Sequence, residues 1–288
     1  MREMLKIFNV CWLAALLLSL GACGDLEPEY LDFEATLVLD GSIYIDEYPE
    51  IVVTQLVPPD SELSDYVLSL IPISWAKVTL YCEDESESLV GTSNDKYLSN
   101  FYYQTLKMKG EQGKQYTLEV EYQGIKVSAT TTMLSPVALD SVWCEKVSET
   151  DSGYLIKVKI DEPLDEQNYY LISSRVSGES EIYQPTMFGV WSDTRLNTLD
   201  NTVPVFRATS ILMDGDTYDI FYRSGEKVEL QVSNIDKDSY DYYLDLQELS
   251  INIANPIYPV TTNARSNVDG GLGIFSGKAS SYYTIIIP

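Results

Sequence analysis

The sequence predicts an all-β protein, and three observations support this prediction. Apolar and polar residues alternate in several short stretches, which is the period of a half-buried strand. Tyrosine, which favours strands, occurs 22 times in the 288 residues. A helical spacing of apolar residues stands out in one segment, residues 238–253. We therefore expect two β modules, over residues 35–134 and 135–288, with one short helix in the second.

Residues 1–22 have the pattern of a lipoprotein signal peptide. Arg2 and Lys6 supply positive charge, a short apolar run follows, and small residues lead up to Cys23. The apolar run is shorter than the about 20 residues of a membrane-spanning helix, although an uncleaved anchor with a chance cysteine is the alternative. We expect cleavage before Cys23 and covalent diacylglycerol and acyl lipid on Cys23, which would hold the protein on a membrane.

Residues 23–34 are predicted to form an acidic tether. Gly24 stands where Asp would be the usual signal for retention in an inner membrane, so an outer-membrane location is favoured. The acidic residues Asp25, Glu27 and Glu29 resemble the surface-export tag of Bacteroidetes-type lipoproteins. We expect a lipid-anchored protein of the outer membrane that faces the cell surface.

Composition excludes several classes of function. The chain has 44 acidic and 19 basic residues, a formal net charge of -25, and such a surface repels nucleic acid. It contains no histidine, which excludes Ser-His-Asp and Cys-His nucleophiles and His-ligated metal centres. Carboxylate pairs remain available for glycoside hydrolysis, but no local motif singles out a pair. We expect no enzyme activity, no metal site and no cofactor.

The first module reads as a series of strands. Residues 77–82 alternate, and residues 116–122 and 125–129 flank a Gln123-Gly124 turn, which predicts a hairpin. Asp40-Gly41 predicts another hairpin between residues 35–39 and 42–45. The acidic residues 83–87 are predicted to form a loop. This order is similar to an immunoglobulin-like or carboxypeptidase-regulatory-like sandwich.

The second module is predicted to begin after the Pro136 region. Its strands are expected at residues 154–160, 169–176, 218–222, 227–232 and 282–287. Residues 178–216 are polar and irregular, which predicts long loops. The helix over residues 238–253 ends before Pro256. The fold expected here is a second β-sandwich or a barrel-like domain.

A glycine-rich segment precedes the last strand. It contains Asn267, Gly270, Gly271, Gly273 and Phe275. Phosphate-binding glycine loops open a helix and add a basic residue, whereas here a strand follows. We expect the glycines to form a tight turn with positive φ and close backbone approach.

Cys82 and Cys144 are the two ordinary thiols of the processed chain. An exported protein folds where disulfides form, yet two lone cysteines on strands serve equally well as small buried side chains. The sequence is compatible with both alternatives. Two cysteines without histidine do not make a usual zinc site.

Aromatic side chains are the candidates for ligand contacts. Adjacent tyrosines occur in predicted strands, and because neighbours on a strand face opposite ways we expect half to be packed and half exposed. Trp191, in the loop-like residues 188–191, is the first candidate for an exposed ligand-binding aromatic, together with Tyr183.

The chain resembles a Bacteroidetes lipoprotein family described as domain of unknown function 4249. The specific part is residues 266–275, and similar elements extend over nearly the whole processed chain. The resemblance implies no biochemical activity. It implies instead a genomic neighbourhood, since such proteins resemble accessory lipoproteins encoded beside SusC-type TonB-dependent receptors.

The sequence is compatible with three functions. The first is a non-catalytic surface lipoprotein, accessory to a TonB-dependent receptor in nutrient capture or uptake. The second is a structural or adhesive fimbrial-type surface protein, which would need a groove open to a donor strand. The third is a carboxylate-based glycan hydrolase, which would need two carboxylates roughly 5 to 9 Å apart in a cleft.

Overall fold

The computed structural model describes residues 36–56, 72–93, 101–148, 153–163, 166–208, 220–252 and 264–288. Within these ranges the chain forms seventeen strands and two helices, so the all-β prediction is confirmed. Residues 36–288 form one compact unit. Cys23, residues 1–22 and the predicted tether lie outside the described residues.

The described residues of the first half of the chain form eight strands, and those at residues 77–82, 115–122 and 125–132 alternate as the sequence predicts. The eight strands are β1 (Leu37–Tyr44), β2 (Glu50–Gln55), β3 (Lys77–Cys82), β4 (Glu85–Ser88), β5 (Val90–Ser93), β6 (Phe101–Gln104), β7 (Gln115–Tyr122) and β8 (Ile125–Thr132). The hairpin of β7 and β8 is confirmed, with Gln123 and Gly124 both at positive φ (51° and 84°), as a two-residue hairpin turn requires.

The second half adds nine strands and both helices. They are β9 (Ala138–Lys146), β10 (Gly153–Asp161), β11 (Tyr169–Val176), β12 (Gln184–Ser192), α1 (Asp193–Asn197), β13 (Thr202–Val205), β14 (Tyr222–Arg223), β15 (Lys227–Ile235), α2 (Lys237–Asn252), β16 (Val268–Asp269) and β17 (Leu272–Ile286). The predicted strands at β10, β11 and β15 and the predicted helix at α2 are confirmed.

Three open sheets arrange these strands. The largest has eight strands in the order β12-β11-β15-β17-β1-β2-β6-β5. A five-stranded sheet has the order β16-β8-β7-β3-β4, and a smaller sheet pairs β10 with β13 and β14 on one side and with β9 on the other. Each smaller sheet contributes to its own hydrophobic cluster against the eight-stranded sheet, which gives two sandwich-like cores.

The last strand, β17, belongs to both cores. Its first half pairs in parallel with β1, and its second half pairs antiparallel with β15. Phe275 is fully buried in the first cluster, while Ile285 packs against the second. Residues 272–279 therefore complete the core of the predicted first module, although they lie far beyond residue 134 in the sequence.

The Asp40-Gly41 hairpin prediction is wrong, because residues 37–44 form the single continuous strand β1. Gly41 has a packing role instead. A Cβ at this position would lie 2.9 Å from Ile51 Cδ1 and 3.0 Å from Phe275 Cδ2, so a side chain here would collide with the core.

Two predicted loops also contain strands. In the acidic segment 83–87, Glu83 and Asp84 form the turn and Glu85–Ser88 returns as β4 on the edge of its sheet. Within residues 178–216 lie β12, α1 and β13. Phe188 has a positive φ (58°), and the register between β11 and β12 shifts at this irregular part of β12. Apolar and polar residues therefore do not alternate regularly along β12, and the sequence pattern does not indicate a strand there.

Candidate functional site

Trp191 is not the exposed aromatic that the sequence predicts. It lies in β12, pairs with Tyr170 and is only 3% exposed. The guanidinium of Arg195 covers its ring at 4.4 Å from the centroid. The expectation of exposure was wrong because residues 188–191 form a strand whose Trp191 side chain joins the second core.

The tyrosine pairs do not divide evenly between packed and exposed positions. Tyr169 and Tyr170 on β11 are both buried, at 8% and 0% exposure. One reason is that β11 is covered on both faces: Tyr170 joins the second core, and Tyr169 packs under α2 at 4.6 Å from the ring of Tyr240. By contrast, Tyr282 and Tyr283 are 50% and 42% exposed.

Tyr183 lies on the surface that α2 leaves uncovered. We call this surface the Tyr183–Tyr282 strip, and it consists of Arg175, Tyr183, Glu229, Gln231 and Tyr282. Cross-strand pairing brings its strand residues together, since Arg175 pairs with Glu229 and Gln231 pairs with Tyr282. Alternation along β11, β15 and β17 places all of them on one face of the eight-stranded sheet.

Arg175 organises the strip through several contacts. Its Nη2 lies 2.6 Å from Glu229 Oε2, its Nε donates to the same oxygen at 3.1 Å, and its Nη1 donates to the Glu181 carbonyl at 2.7 Å. The guanidinium also lies 4.4 Å from the centre of the Tyr183 ring. The ion pair with Glu229 and the cation–π contact with Tyr183 together fix the geometry of the Arg175 and Tyr183 side chains.

Glu229 accepts hydrogen bonds from three side chains. Besides Arg175, the donors are Ser177 Oγ at 3.0 Å and the Tyr183 hydroxyl at 3.3 Å. The bonds from Arg175 and then Ser177 hold the pKa of Glu229 below its ordinary value. Glu229 is therefore an ionised structural acceptor, which suits a fixed binding surface better than proton transfer.

Tyr282 is the exposed member of the strip. Its ring centre lies 5.8 Å from that of Tyr183, and its hydroxyl accepts a hydrogen bond from Gln231 Nε2 at 3.2 Å. Partial burial raises the pKa of both phenols, so both stay protonated at neutral pH. The strip thus presents two neutral aromatic rings beside a satisfied polar network.

Sequence reasoning identified Tyr183 and missed the rest of the strip. A signal was present in β15, where Lys227, Glu229, Gln231 and Ser233 alternate with Val228, Leu230 and Val232. That alternation predicts a polar face on an otherwise apolar strand. What it could not predict is which partner strands stand beside β15, because β11 and β17 are far apart in the sequence.

A second polar cluster is buried beside β11. The Tyr170 hydroxyl donates to Glu162, Asn168 Nδ2 donates to Glu162 Oε1 at 3.1 Å, and Asn234 Nδ2 donates to Asn168 Oδ1 at 3.1 Å. Asn234 Nδ2 also donates to the Ser135 carbonyl at 3.1 Å. This chain of bonds holds the segment that leads into β9, so its role is structural.

A shallow depression of about 410 Å³ lies beside β3 and β7. Its lining includes Tyr81, Glu83 and Lys114, and the Lys114 ammonium lies 2.6 Å from a Glu83 carboxylate oxygen. The two charged groups of the depression therefore neutralise each other. Among the described residues, no group of three or more acidic or cysteine side chains is placed to hold a metal ion.

Cys82 and Cys144 are both free thiols. Cys82 packs against the first hydrophobic cluster and Cys144 against the second, so they lie in different parts of the fold. Burial raises the pKa of each thiol. No disulfide joins them, and both act as small, half-buried side chains.

The glycine-rich segment forms the predicted turn. Gly270 and Gly273 have φ of 77° and 102°, and a Cβ on Gly273 would lie 1.9 Å from the Leu39 carbonyl oxygen. Gly271 is required by space alone, since its Cβ would lie 2.8 Å from the Leu37 carbonyl oxygen. Both contacts are with β1, so the glycines allow β17 to enter beside β1.

Asn267 closes this turn with its side chain. Phe275 N donates to Asn267 Oδ1 at 3.0 Å, and Asn267 Nδ2 donates to the Phe275 carbonyl at 2.8 Å and the Thr130 carbonyl at 3.2 Å. The amide thereby links β17 to β8 as a backbone segment would. The segment has a structural role in starting β17 between two sheets.

The fold places the chain among all-β proteins built from packed open sheets. A family model described as "Domain of unknown function (DUF4249)" matches residues 25–284, nearly the whole chain after the signal-like segment. The chain belongs to this family. Comparison with curated proteins found no match. Neither helix in the described ranges is long and apolar enough to cross a membrane.

Proposed function

We propose that this protein is a non-catalytic lipoprotein of the outer-membrane surface, accessory to a SusC-like TonB-dependent receptor in nutrient capture or uptake. The observation that carries the proposal is the Tyr183–Tyr282 strip, which holds the exposed ring of Tyr282 on β17 of the largest sheet, beside the half-buried ring of Tyr183. Tyr and Arg are enriched among the residues that dominate protein–protein binding energy. We assign the strip to the contact with the receptor.

Preorganisation supports this assignment. Arg175 and Tyr183 are immobilised by contacts within the protein before any partner arrives. Ordering a rotamer-rich side chain on binding costs roughly 0.5 to 1.5 kcal/mol of free energy. Arg175 is already ordered in the free protein, so binding does not add this cost for its side chain. A partner that covers Tyr282 therefore gains the burial of its ring at a low entropic penalty.

The anchor in the proposal rests on the amino-acid sequence. Cys23 follows a signal-like segment, and only 12 residues lie between it and Thr36, the first described residue. Even fully extended, such a length reaches at most about 45 Å. The folded unit would thus stay close to the lipid that carries Cys23, within reach of a receptor in the same membrane.

Two features of the chain support a non-catalytic role. The chain has no histidine, and the acid in the strip, Glu229, is engaged by Arg175, Ser177 and Tyr183. A general acid needs a raised pKa, whereas the pKa of Glu229 is lowered. The acidic composition also argues against nucleic acid as a partner.

The test is affinity purification of the tagged, lipidated protein from native outer membranes, with mass spectrometry of the proteins that accompany it. A TonB-dependent receptor in stoichiometric amount is expected with the wild type and lost with Tyr282→Ala. Tyr81→Ala is the matched control, because Tyr81 is 37% exposed on the other sheet. Purification of the wild type without a receptor would contradict the accessory role.

A further inference from the structure

Trp75 is the most exposed large apolar side chain among the described residues. It is 89% exposed, whereas the next, Ile286 and Leu106, are 68% and 63% exposed. Exposing an indole so fully forgoes the burial of a large apolar surface. A position of this kind needs an explanation beyond folding.

The turn that carries Trp75 is held firmly. The hydroxyl of Tyr103, a residue only 3% exposed, donates to the Ile73 carbonyl at 2.8 Å and accepts from Ala76 N at 2.8 Å. Ile73 N donates in turn to the Val53 carbonyl at 2.8 Å. These bonds bracket Trp75, so its exposure results from a fixed backbone.

The turn lies at the end of the molecule where the chain arrives from Cys23. Leu56 N donates to the Thr36 carbonyl at 2.9 Å, which places the end of β2 beside the first described residue. Thr54 pairs with Pro72 and Ile73 N donates to the Val53 carbonyl, and from there the Trp75 turn leads from β2 to the start of β3 at Lys77. Leu56 is itself 42% exposed.

The described segments at this end of the protein carry no charge of their own. Segments 36–39, 51–56 and 72–76 contain no Asp, Glu, Lys or Arg. Residues 23–35, which lead into Thr36, and residues 57–71, which join Leu56 to Pro72 in the sequence, together contain eight acidic residues and no basic one.

We infer that Trp75 and Leu56 contact the interfacial layer of the bilayer that holds the Cys23 lipid, and so set the orientation of the folded unit on the membrane. Tryptophan prefers this layer, because its ring is apolar and its N–H is polar. No charged side chain of segments 36–39, 51–56 and 72–76 opposes the burial of the indole in this layer. The inference rests on the lipid anchor of the proposed function.

The lipid anchor allows even a weak contact between Trp75 and the bilayer to orient the folded unit. Because the anchor keeps Trp75 near the bilayer, insertion becomes an intramolecular event at a high effective concentration. One indole therefore need not bind a membrane by itself. Its role is to select one orientation, which would leave the strip in a defined position relative to the receptor.

The experiment uses the full-length lipidated protein in phosphatidylcholine vesicles with brominated acyl chains, which quench tryptophan fluorescence within the bilayer. The processed chain contains Trp75, Trp143 and Trp191. We expect quenching relative to unbrominated vesicles in the wild type, its loss in Trp75→Phe, and its retention in Trp143→Phe. Trp143 is the matched control, because its ring lies on β9 and its Nε1 donates to Glu145 at 2.9 Å.

Two results would overturn the inference. One is quenching that persists in Trp75→Phe, and the other is a wild type that floats with vesicles but shows no quenching, as expected if Trp75 served a protein partner. Vesicle flotation separates the underlying claims. Protein that fails to float contradicts the anchor itself and the inference with it, whereas protein that floats unquenched contradicts the inference alone.

Discussion

The hydroxyl of Thr131 donates to a carboxylate oxygen of Asp236 at 2.6 Å, across 105 residues of sequence. The same carboxylate accepts a hydrogen bond from Ser239 N at 2.9 Å and so caps the first turn of α2. Thr131 Oγ1 also accepts a hydrogen bond from Gly277 N at 2.7 Å. This pair of residues therefore joins β8, β17 and the start of α2 at one point between the two cores.

Replacing Asp236 tests the importance of this junction. Asp236→Ala removes a helix cap and the acceptor for a buried threonine hydroxyl, and we expect a loss of about 2 to 4 kcal/mol in the free energy of unfolding. Asp238→Ala, at an exposed position of the same first turn, should cost about 0.5 kcal/mol. Urea unfolding measures both, and equal losses would contradict the junction.

Gly273 tests the contact between β17 and β1. Gly273→Ala combines positive φ with a Cβ 1.9 Å from the Leu39 carbonyl oxygen, so we expect it to lose at least about 3 kcal/mol more than its control, or not to fold. The control, Gly178→Ala, has φ of 90° and no atom within 4 Å of the new Cβ. It should cost about 1 to 2 kcal/mol. Similar unfolding midpoints for the two variants would refute the close approach.

The strip should contribute pH-dependent stability through Glu229. Its pKa is lowered by hydrogen bonds from Arg175 and Ser177, below the about 4.3 of an unfolded glutamate. A lowered carboxyl pKa gives stability that is complete above the unfolded pKa and is lost as pH falls through the folded pKa. Glu229→Gln should therefore be less stable than the wild type at pH 7, with a difference that shrinks below about pH 4. A difference unchanged at pH 3 would argue against the ionised network.

Thiol titration tests the state of the cysteines. Under denaturing conditions without reductant, the protein, if cleaved and lipidated at Cys23 as proposed, should react at two thiols, Cys82 and Cys144. Both should react slowly in the folded protein, because burial raises their pKa and lowers the fraction of thiolate. A count of zero reactive thiols after unfolding would reveal a disulfide.

Local patterns predicted local structure well. The alternation of residues 77–82, the Gln123-Gly124 turn and the spacing of residues 238–253 all led to elements that the structure contains. Where a local signal competed with packing, packing decided. Asp40-Gly41 is a strong hairpin signal, yet Gly41 sits mid-strand because Ile51 and Phe275 occupy the space beside it.

The long-range pairings were beyond local patterns. The parallel contact of β1 with β17 joins residues more than 230 positions apart, for example Val38 and Leu272. The strip depends on the same kind of pairing, because Arg175, Glu229 and Tyr282 come from three strands. Alternation tells which face a residue occupies, but not which strand lies beside it.

The most direct test of the proposed role is photo-crosslinking in native outer membranes from a photoreactive phenylalanine at position 282, with the same residue at position 81 as the control. We expect a crosslink from position 282 to a TonB-dependent receptor and none from position 81. A receptor crosslinked from neither position, or equally from both, would contradict the claim that the Tyr183–Tyr282 strip is the receptor contact.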